Sequence, residues 1–187
     1  MKERPILFNA PMVRAILDGR KTVTRRIFKP DRMTWDANGR YTTYAMRGGE
    51  LSTTGSGPFK PSSWLHYCPY GQPGGDRLYV RETWAAPHAY DHLPPRLIPQ
   101  DARIHYAATE DRGGLLWRPS IHMPRWASRI TLEVTGVRVE TLGVISHEDA
   151  LAEGVSSIEE YKALWINING AWLPETWVWV LDFKGLP

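Results

Sequence analysis

The chain has 187 residues, which is enough for one domain with its own hydrophobic core or for a small domain with long insertions. Hydrophobic residues make up 42% and charged residues 23%, and no apolar run reaches the roughly 18 residues that a membrane span requires, so no membrane partner is expected. The formal net charge of +3 is too small to indicate nucleic-acid binding by itself, so only local clusters of basic residues bear on that function.

The first predicted element is a short helix over residues 11–18. Asn9 is a favourable N-terminal cap and Gly19 a favourable C-terminal stop. The branched residues 22–24 then predict an extended segment. The basic stretch LDGRKTVTRR at 17–26 therefore lies at a junction between a helix and a strand.

Two segments rich in Gly, Ser, Pro and aromatic residues interrupt the middle of the chain. We interpret 31–74 and 86–128 as insertions within a single domain, 1–187. Residues 75–84 between them alternate as a strand does and place Glu82 on the apolar face. Because an inward acid is costly without a partner, Glu82 is expected to form an ion pair with an arginine.

The C-terminal part contains further strands and two helices. Residues 130–140 predict a strand that bends or breaks at Gly136. Ser146 caps a helix that ends at Gly154, a second helix follows, and residues 177–183 form a strongly apolar last strand. The order helix, strands, helices, strand predicts an α+β fold, a small β-barrel flanked by short helices.

Residues that often mark metal or redox chemistry give no site in this sequence. Cys68 is the single cysteine, which excludes an internal disulfide and a thiolate zinc site and is typical of a reducing compartment. His88 and His92 are four residues apart but lie between prolines, with no third ligand nearby. We expect no metal and no cofactor. A cytoplasmic location is expected, since the first residues lack the apolar core of a signal peptide.

Five blocks in this order resemble the ASCH domain family, which belongs to the PUA-like β-barrel superfamily. The blocks are ILDGRKTVTRR at 16–26, GDRLYVRETW at 75–84, ITLEVTGVRVE at 130–140, ISHEDALAEGV at 145–155 and WVWVLDF at 177–183. The two insertions make the chain longer than the compact family form. In this respect it resembles versions associated with bacteriophages and prophages.

The resemblance implies a PUA-like barrel and an amidohydrolase that removes the acetyl group from N4-acetylcytidine. The lysine of GRKT, the threonine three residues later and the glutamate of ALAEG act together in that activity, and they correspond to Lys21, Thr24 and Glu153. Secondary candidates for holding the substrate or orienting these groups are Arg20, Arg26 and Glu82.

The three residue types fit that chemistry. A threonine hydroxyl is a weak nucleophile and needs a base. Lys21 can act as the base if burial or cationic neighbours lower its pKa, and the neighbours in sequence are Arg20, Arg25 and Arg26. A protonated Glu153 in an apolar setting can donate the proton that the leaving nitrogen requires.

Two other interpretations remain at the level of sequence. One is an RNA-binding module without catalysis, or a ribonuclease, of the same fold, in which arginines contact phosphates and tryptophans stack on bases. The residues available for it are Arg20, Lys21, Arg25, Arg26, Arg77 and Arg81, with Trp84, Trp117 and Trp126. The other is a structural protein of a phage particle without a ligand. The expected partner is thus a modified nucleoside or RNA, and the sequence does not indicate an oligomeric state.

Overall fold

The structure is a computed structural model that describes residues 1–28, 32–35, 40–44, 52–56, 68–111 and 113–186. The strands are β1 (Glu3–Leu7), β2 (Val23–Ile27), β3 (Arg32–Trp35), β4 (Arg40–Tyr44), β5 (Ser52–Ser56), β6 (Arg77–Arg81), β7 (Trp84–Ala85), β8 (His105–Tyr106), β9 (Thr131–Thr141) and β10 (Trp177–Gly185). The α-helices are α1 (Ala10–Leu17), α2 (His147–Ala152) and α3 (Ile158–Asn169). Short 3-10 helices lie at His88–Tyr90, Pro95–Leu97, Ser120–His122, Arg125–Ala127 and Leu142–Val144.

The main sheet has five strands in the order β1-β6-β9-β10-β2. The β1–β6 pair is parallel and the other pairs are antiparallel. The apolar last strand β10 lies between β9 and β2, and its residues 178–181 are buried, as expected for a strand covered on both faces. A mixed sheet with three helices confirms the predicted α+β class.

The sheet curves so that its two end strands approach each other. Arg26 on β2 donates a hydrogen bond from Nη2 to the carbonyl oxygen of Leu7 on β1, with an N–O distance of 2.8 Å. Both strands also contribute residues to the walls of one cavity. The ends of the five-stranded order therefore face each other across this cavity in a barrel-like arrangement.

The predicted bend in residues 130–140 is confirmed as an irregularity within one strand. β9 pairs with β10 through Gly136 opposite Asp182, and the register then shifts so that Val134 lies opposite Phe183. A Cβ atom at position 136 would overlap the Asp182 carboxylate. Glycine is needed there because β10 passes so closely.

Local sequence signals position the helices. The Asn9 side chain accepts a hydrogen bond from the backbone N–H of Met12, so α1 begins at the residue after Asn9. Ser146 and Asp149 cap α2 reciprocally through side-chain to backbone hydrogen bonds. Gly170, with φ of 89°, ends α3. These boundaries lie within one or two residues of those predicted.

The buried apolar residues form two clusters. The larger one fills the space between the main sheet and the helices. The smaller one, here called the Trp84 cluster, consists of Trp84, Ala86, Ile98, Met123 and Ala127. Most of the Trp84 cluster comes from residues 86–128, so that segment has a small core of its own.

The segment 31–74 lies largely outside the described residues. Within it, β3, β4 and β5 form a separate antiparallel sheet in chain order. The limits of both insertions and the single-domain organisation stay predictions. None of the helices in the described ranges is long and apolar enough to cross a bilayer.

Candidate active site

A cavity of about 600 Å³ lies between the two end strands of the main sheet and α3. Its walls come from residues 5–9 in and after β1, residues 24–27 of β2, and one face of α3. Lys21, Thr24 and Glu153 all contribute to its lining. The volume falls within the usual range for small-molecule sites, so the cavity has room for a nucleoside.

Lys21 is held at the wall of this cavity by three hydrogen bonds. Its Nζ donates to Glu153 Oε2 at 2.6 Å, to the carbonyl oxygen of Glu153 at 2.8 Å and to the carbonyl oxygen of Val23 at 2.8 Å. The side chain is 1% exposed. The fold thus joins two residues that lie 132 positions apart in the sequence.

The groups around Lys21 act on its pKa in both directions. Burial lowers the pKa of Lys21 below its usual value. The Glu153 carboxylate acts in the opposite direction, whereas the charges of Arg26 and Arg25 lower the pKa further. Burial is the largest of these effects, which is the environment that a lysine base requires.

Glu153 is the C-terminal cap of α2 and is buried. The next residue, Gly154, has φ of +89°, and a Cβ atom there would lie 2.8 Å from Ala15 Cβ and 3.1 Å from Lys21 Cβ. Glycine therefore allows the end of α2 to approach α1 closely. This approach brings the carboxylate to Lys21.

Thr24 lies in β2, opposite Leu181 of β10, and is 1% exposed. The strand pairing fixes its backbone, and the branched side chain suits an extended segment, as the sequence indicates. Thr24 lines the same cavity as Lys21 and Glu153. The structure thus brings the three residues of the sequence hypothesis to one place.

Two residues beside this group were not identified as site residues from the sequence. Arg25 is completely buried, and its Nη1 lies 3.5 Å from Glu153 Oε1. Tyr161 on α3 lines the cavity, and burial, with the nearby Glu153 charge, raises its pKa far above the usual range. Tyr161 is therefore a neutral hydroxyl donor at every physiological pH.

The secondary candidate residues differ in their positions relative to the cavity: one lines it and two do not. Arg26 lines the cavity and places its guanidinium 5.0 Å from the centre of the Phe8 ring. Arg20 is exposed and binds Asp18 Oδ2 at 2.9 Å, outside the cavity lining. Glu82 also lies outside that lining. It forms the expected ion pair, with Arg129, through N–O distances of 3.0 and 3.1 Å.

The residues named for RNA stacking are placed unfavourably. Trp84 is 0% exposed and packs edge to face with Trp126, so the expectation that Trp84 stacks on bases is wrong. Arg81 donates to the carbonyl oxygens of Ile121 and Met123. Its guanidinium is thereby committed to the fold.

The residues considered for metal or thiol chemistry also have structural partners. His88 contacts Asp91 through Nδ1 at 2.9 Å. Burial raises the pKa of the Cys68 thiol, which disfavours the reactive thiolate. Among the residues that the structure describes, no group of three or more His, Cys, Asp or Glu side chains is arranged to hold a metal ion.

Comparison with known proteins gives structural similarities only. The sequence matches no family model and no curated protein. An ASCH domain structure from Lactobacillus crispatus JV V101 is 10% identical, with a TM-score of 0.46 over 98% of this chain and 79% of that chain. A DUF984 protein from Enterococcus faecalis V583 is 9% identical, with a TM-score of 0.40 over 100% and 76%.

Proposed function

We propose that the chain binds a modified nucleoside in the cavity and hydrolyses an acyl amide on the exocyclic nitrogen of its base. N4-acetylcytidine is the specific substrate proposed. The observation that carries this proposal is the meeting of Lys21, Thr24 and Glu153, all buried, in the wall of one cavity. A buried lysine with a lowered pKa beside a hydroxyl group is the arrangement that activates a weak nucleophile.

The reaction begins with proton transfer. Lys21 first passes one of its protons to Glu153 Oε2. The resulting neutral amine accepts the hydroxyl proton of Thr24, and the hydroxyl oxygen attacks the carbonyl carbon of the acetyl group. The tetrahedral intermediate breaks its C–N bond, and the leaving nitrogen takes a proton from Glu153. Water then hydrolyses the acetyl-threonine ester and restores the hydroxyl group. Because Lys21 Nζ and Glu153 Oε2 are 2.6 Å apart, one proton can be shared between them and supplied to either step.

The lining of the cavity is largely apolar, which suits the base and sugar of a nucleoside. Apolar side chains such as Ile6, Phe8 and Trp165 form much of the wall. The guanidinium groups of Arg26 and Arg81 also border the cavity, and each donates to backbone carbonyl oxygens. Both keep their positive charge, so the salt dependence of binding is the measurement that separates a nucleoside from a polynucleotide.

The test is the hydrolysis of N4-acetylcytidine by the purified protein, followed by chromatography. Thr24→Val keeps the shape of the side chain and removes the hydroxyl group, and Lys21→Met removes the amine. Each is expected to lower turnover by about 10²–10⁴-fold. The matched control is Arg96→Gln, which changes an exposed arginine outside the cavity lining and is expected to keep turnover close to the parent value.

Absence of turnover in the parent protein, or undiminished turnover in Thr24→Val, would contradict the proposal. The RNA-binding alternative makes a different prediction. An RNA oligonucleotide would then bind with an affinity that falls steeply as the salt concentration rises, whereas hydrolysis of a neutral nucleoside would change little with salt.

A further inference from the structure

Arg25 is a buried cation surrounded by acids from two different elements. Its Nη2 lies 2.9 Å from Asp149 Oδ2 on α2 and 3.8 Å from Glu140 Oε1 on β9. Its Nη1 lies 3.5 Å from Glu153 Oε1 at the end of α2. The 2.9 Å contact does not have the geometry of a hydrogen bond, so the guanidinium is held mainly by charge. Removing an arginine completely from water costs free energy of desolvation. This cost suggests that the buried position of Arg25 serves a function.

A second arginine, Arg138, contacts two of these acids from the solvent side. Arg138 contacts Glu140 at 2.6 Å and Asp149 at 3.0 Å. It also binds Asp182 on β10 through Nη1 at 2.9 Å. Unlike Arg25, Arg138 is 41% exposed at its side chain. Two of the three acids around Arg25, Glu140 and Asp149, are therefore held in position by contacts outside the cavity.

The Glu153 carboxylate lies between two buried cations. Oε2 accepts a hydrogen bond from Lys21, and Oε1 faces Arg25. Each oxygen thus has its own cationic partner, which fixes the rotation of the carboxylate. A carboxylate with only the Lys21 partner would be free to turn either oxygen toward the amine.

We propose that Arg25 is a positioning residue for the Lys21–Glu153 pair: it holds Glu153 Oε1 so that Oε2 remains on the Lys21 amine. The role of Arg25 in catalysis rests on the proposed function. Its effect on the Lys21–Glu153 pair can be measured without turnover. Arg25 acts on Lys21 through Glu153 and through its own charge. We assign it no contact with the substrate.

The proposal predicts a change in the titration of the pair. The charged groups that act on Lys21 are Glu153 at the end of α2 and Arg25 and Arg26 from β2. Tyr161 from α3 faces the same Glu153 carboxylate. The positive charge of Arg25 lowers the pKa of Lys21. Removal of Arg25 therefore raises that pKa, and the pair keeps its extra proton to a higher pH. Less of the neutral base is then present at any pH below the new midpoint.

The experiment compares Arg25→Gln with the matched control Arg138→Gln, which removes an arginine of the same ion-pair group that does not contact Glu153. Lysine labelled with ¹³C at Cε reports the titration of Lys21, and the signal is assigned by its loss in Lys21→Met. The pH dependence of kcat/KM for N4-acetylcytidine is measured in parallel.

Arg25→Gln is expected to move both midpoints to higher pH and to lower kcat/KM on the acid side about tenfold. Arg138→Gln leaves the midpoints close to the parent values, and Arg25→Lys, which keeps the charge, restores them.

An unchanged Lys21 midpoint in folded Arg25→Gln would overturn the proposal, as would an equal shift in Arg138→Gln. If Arg25→Gln does not fold, the charge-balanced variant Arg25→Gln/Asp149→Asn removes the cation together with one of its acids and is expected to give the same shift. Failure of the parent protein to hydrolyse the nucleoside would contradict the proposed function, while the ¹³C titration would still decide the role of Arg25.

Discussion

Two regions of this molecule bury charged side chains, and they do so differently. Beside the cavity, Lys21 and Arg25 share the carboxylate of Glu153, and all three residues line a space of about 600 Å³. Near the Trp84 cluster, Glu82 pairs with Arg129, and Arg118 donates to the backbone carbonyl oxygens of nearby loops. Burial of charge therefore does not by itself mark a functional site. The Lys21–Glu153 pair itself lines the large cavity, whereas the Glu82–Arg129 pair does not.

The largest expected effect tests whether the Trp84 cluster is purely structural. Trp84→Ala removes a fully buried indole and is expected to lower the free energy of unfolding by about 3–5 kcal/mol. Urea unfolding followed by circular dichroism measures this loss. The folded fraction of the variant should keep the parent KM for N4-acetylcytidine. A large rise in KM without a change in stability would instead connect the Trp84 cluster to the cavity.

The next largest loss of stability is expected when the ion pair between Glu82 and Arg129 is broken. Arg129→Met leaves the buried Glu82 carboxylate without its cation, and the expected cost is about 2 kcal/mol, below the value for a fully buried pair because Arg129 is 26% exposed at its side chain. Burial already raises the pKa of Glu82, and the loss of Arg129 raises it further.

An acid whose pKa is raised by folding destabilises the folded protein when it is ionised. This cost disappears when the acid is protonated. The cost of Arg129→Met should therefore shrink as the pH falls through the folded pKa of Glu82 and grow as the pH rises. Stability measured by urea unfolding across the acid range checks the sign. The double variant Glu82→Leu/Arg129→Met, which leaves no unpaired charge, should show little of this pH dependence.

A smaller effect is expected where α2 approaches the cavity. Gly154→Ala places a side chain at φ of +89° and against Ala15 and Lys21, and the expected loss of stability is about 1–2 kcal/mol. Turnover should also fall, since the change displaces Glu153 from Lys21. The control is Gly114→Ala, where a Cβ atom meets nothing within 4 Å. Equal behaviour of the two variants would show that the close approach at Gly154 does not matter.

The smallest expected effect is a gain in the free energy of unfolding rather than a loss. Lys21→Met/Arg25→Met/Glu153→Leu replaces the three buried charges by apolar side chains, which is expected to raise the free energy of unfolding by about 1 kcal/mol, while turnover is lost. Thermal unfolding and the hydrolysis assay measure the two results. A site that is retained for chemistry shows this combination. A loss of stability would assign the pair a structural role like that of Glu82 and Arg129.

Features that depend on neighbouring residues were predictable from the sequence. The Asn9 cap of α1, the Ser146 cap of α2 and the irregularity at Gly136 follow from local backbone requirements. The inward position of Glu82 follows from strand alternation, although the sequence did not identify Arg129 as its partner. Lys21 and Thr24 are close in sequence, but only the family resemblance connected them with Glu153.

Features that depend on distant contacts were not predictable. Arg25 and Arg20 look alike in the sequence, yet β2 buries Arg25 against the acids of α2 while Arg20 remains in solvent beside Asp18. Trp84 looked as suitable for stacking as any other tryptophan, but residues from 86–128 cover it completely. Composition shows that aromatic and basic residues are present, whereas exposure depends on the packing of remote segments.

The position of β1 has a consequence for how a ligand enters. β1 ends the five-stranded order and pairs with β6, yet its residues 5–7 are also a wall of the cavity. Its beginning is fastened by Asp76, which accepts a hydrogen bond from the backbone N–H of Lys2 at 2.7 Å, and its end by the Arg26 bond to Leu7. The ladder to β6 also continues to Leu7, which pairs with Arg81, and the backbone N–H of Phe8 donates to the carbonyl oxygen of Arg81 at 3.2 Å. β1 is therefore fastened along its whole length, so this wall of the cavity stays in place when a ligand enters.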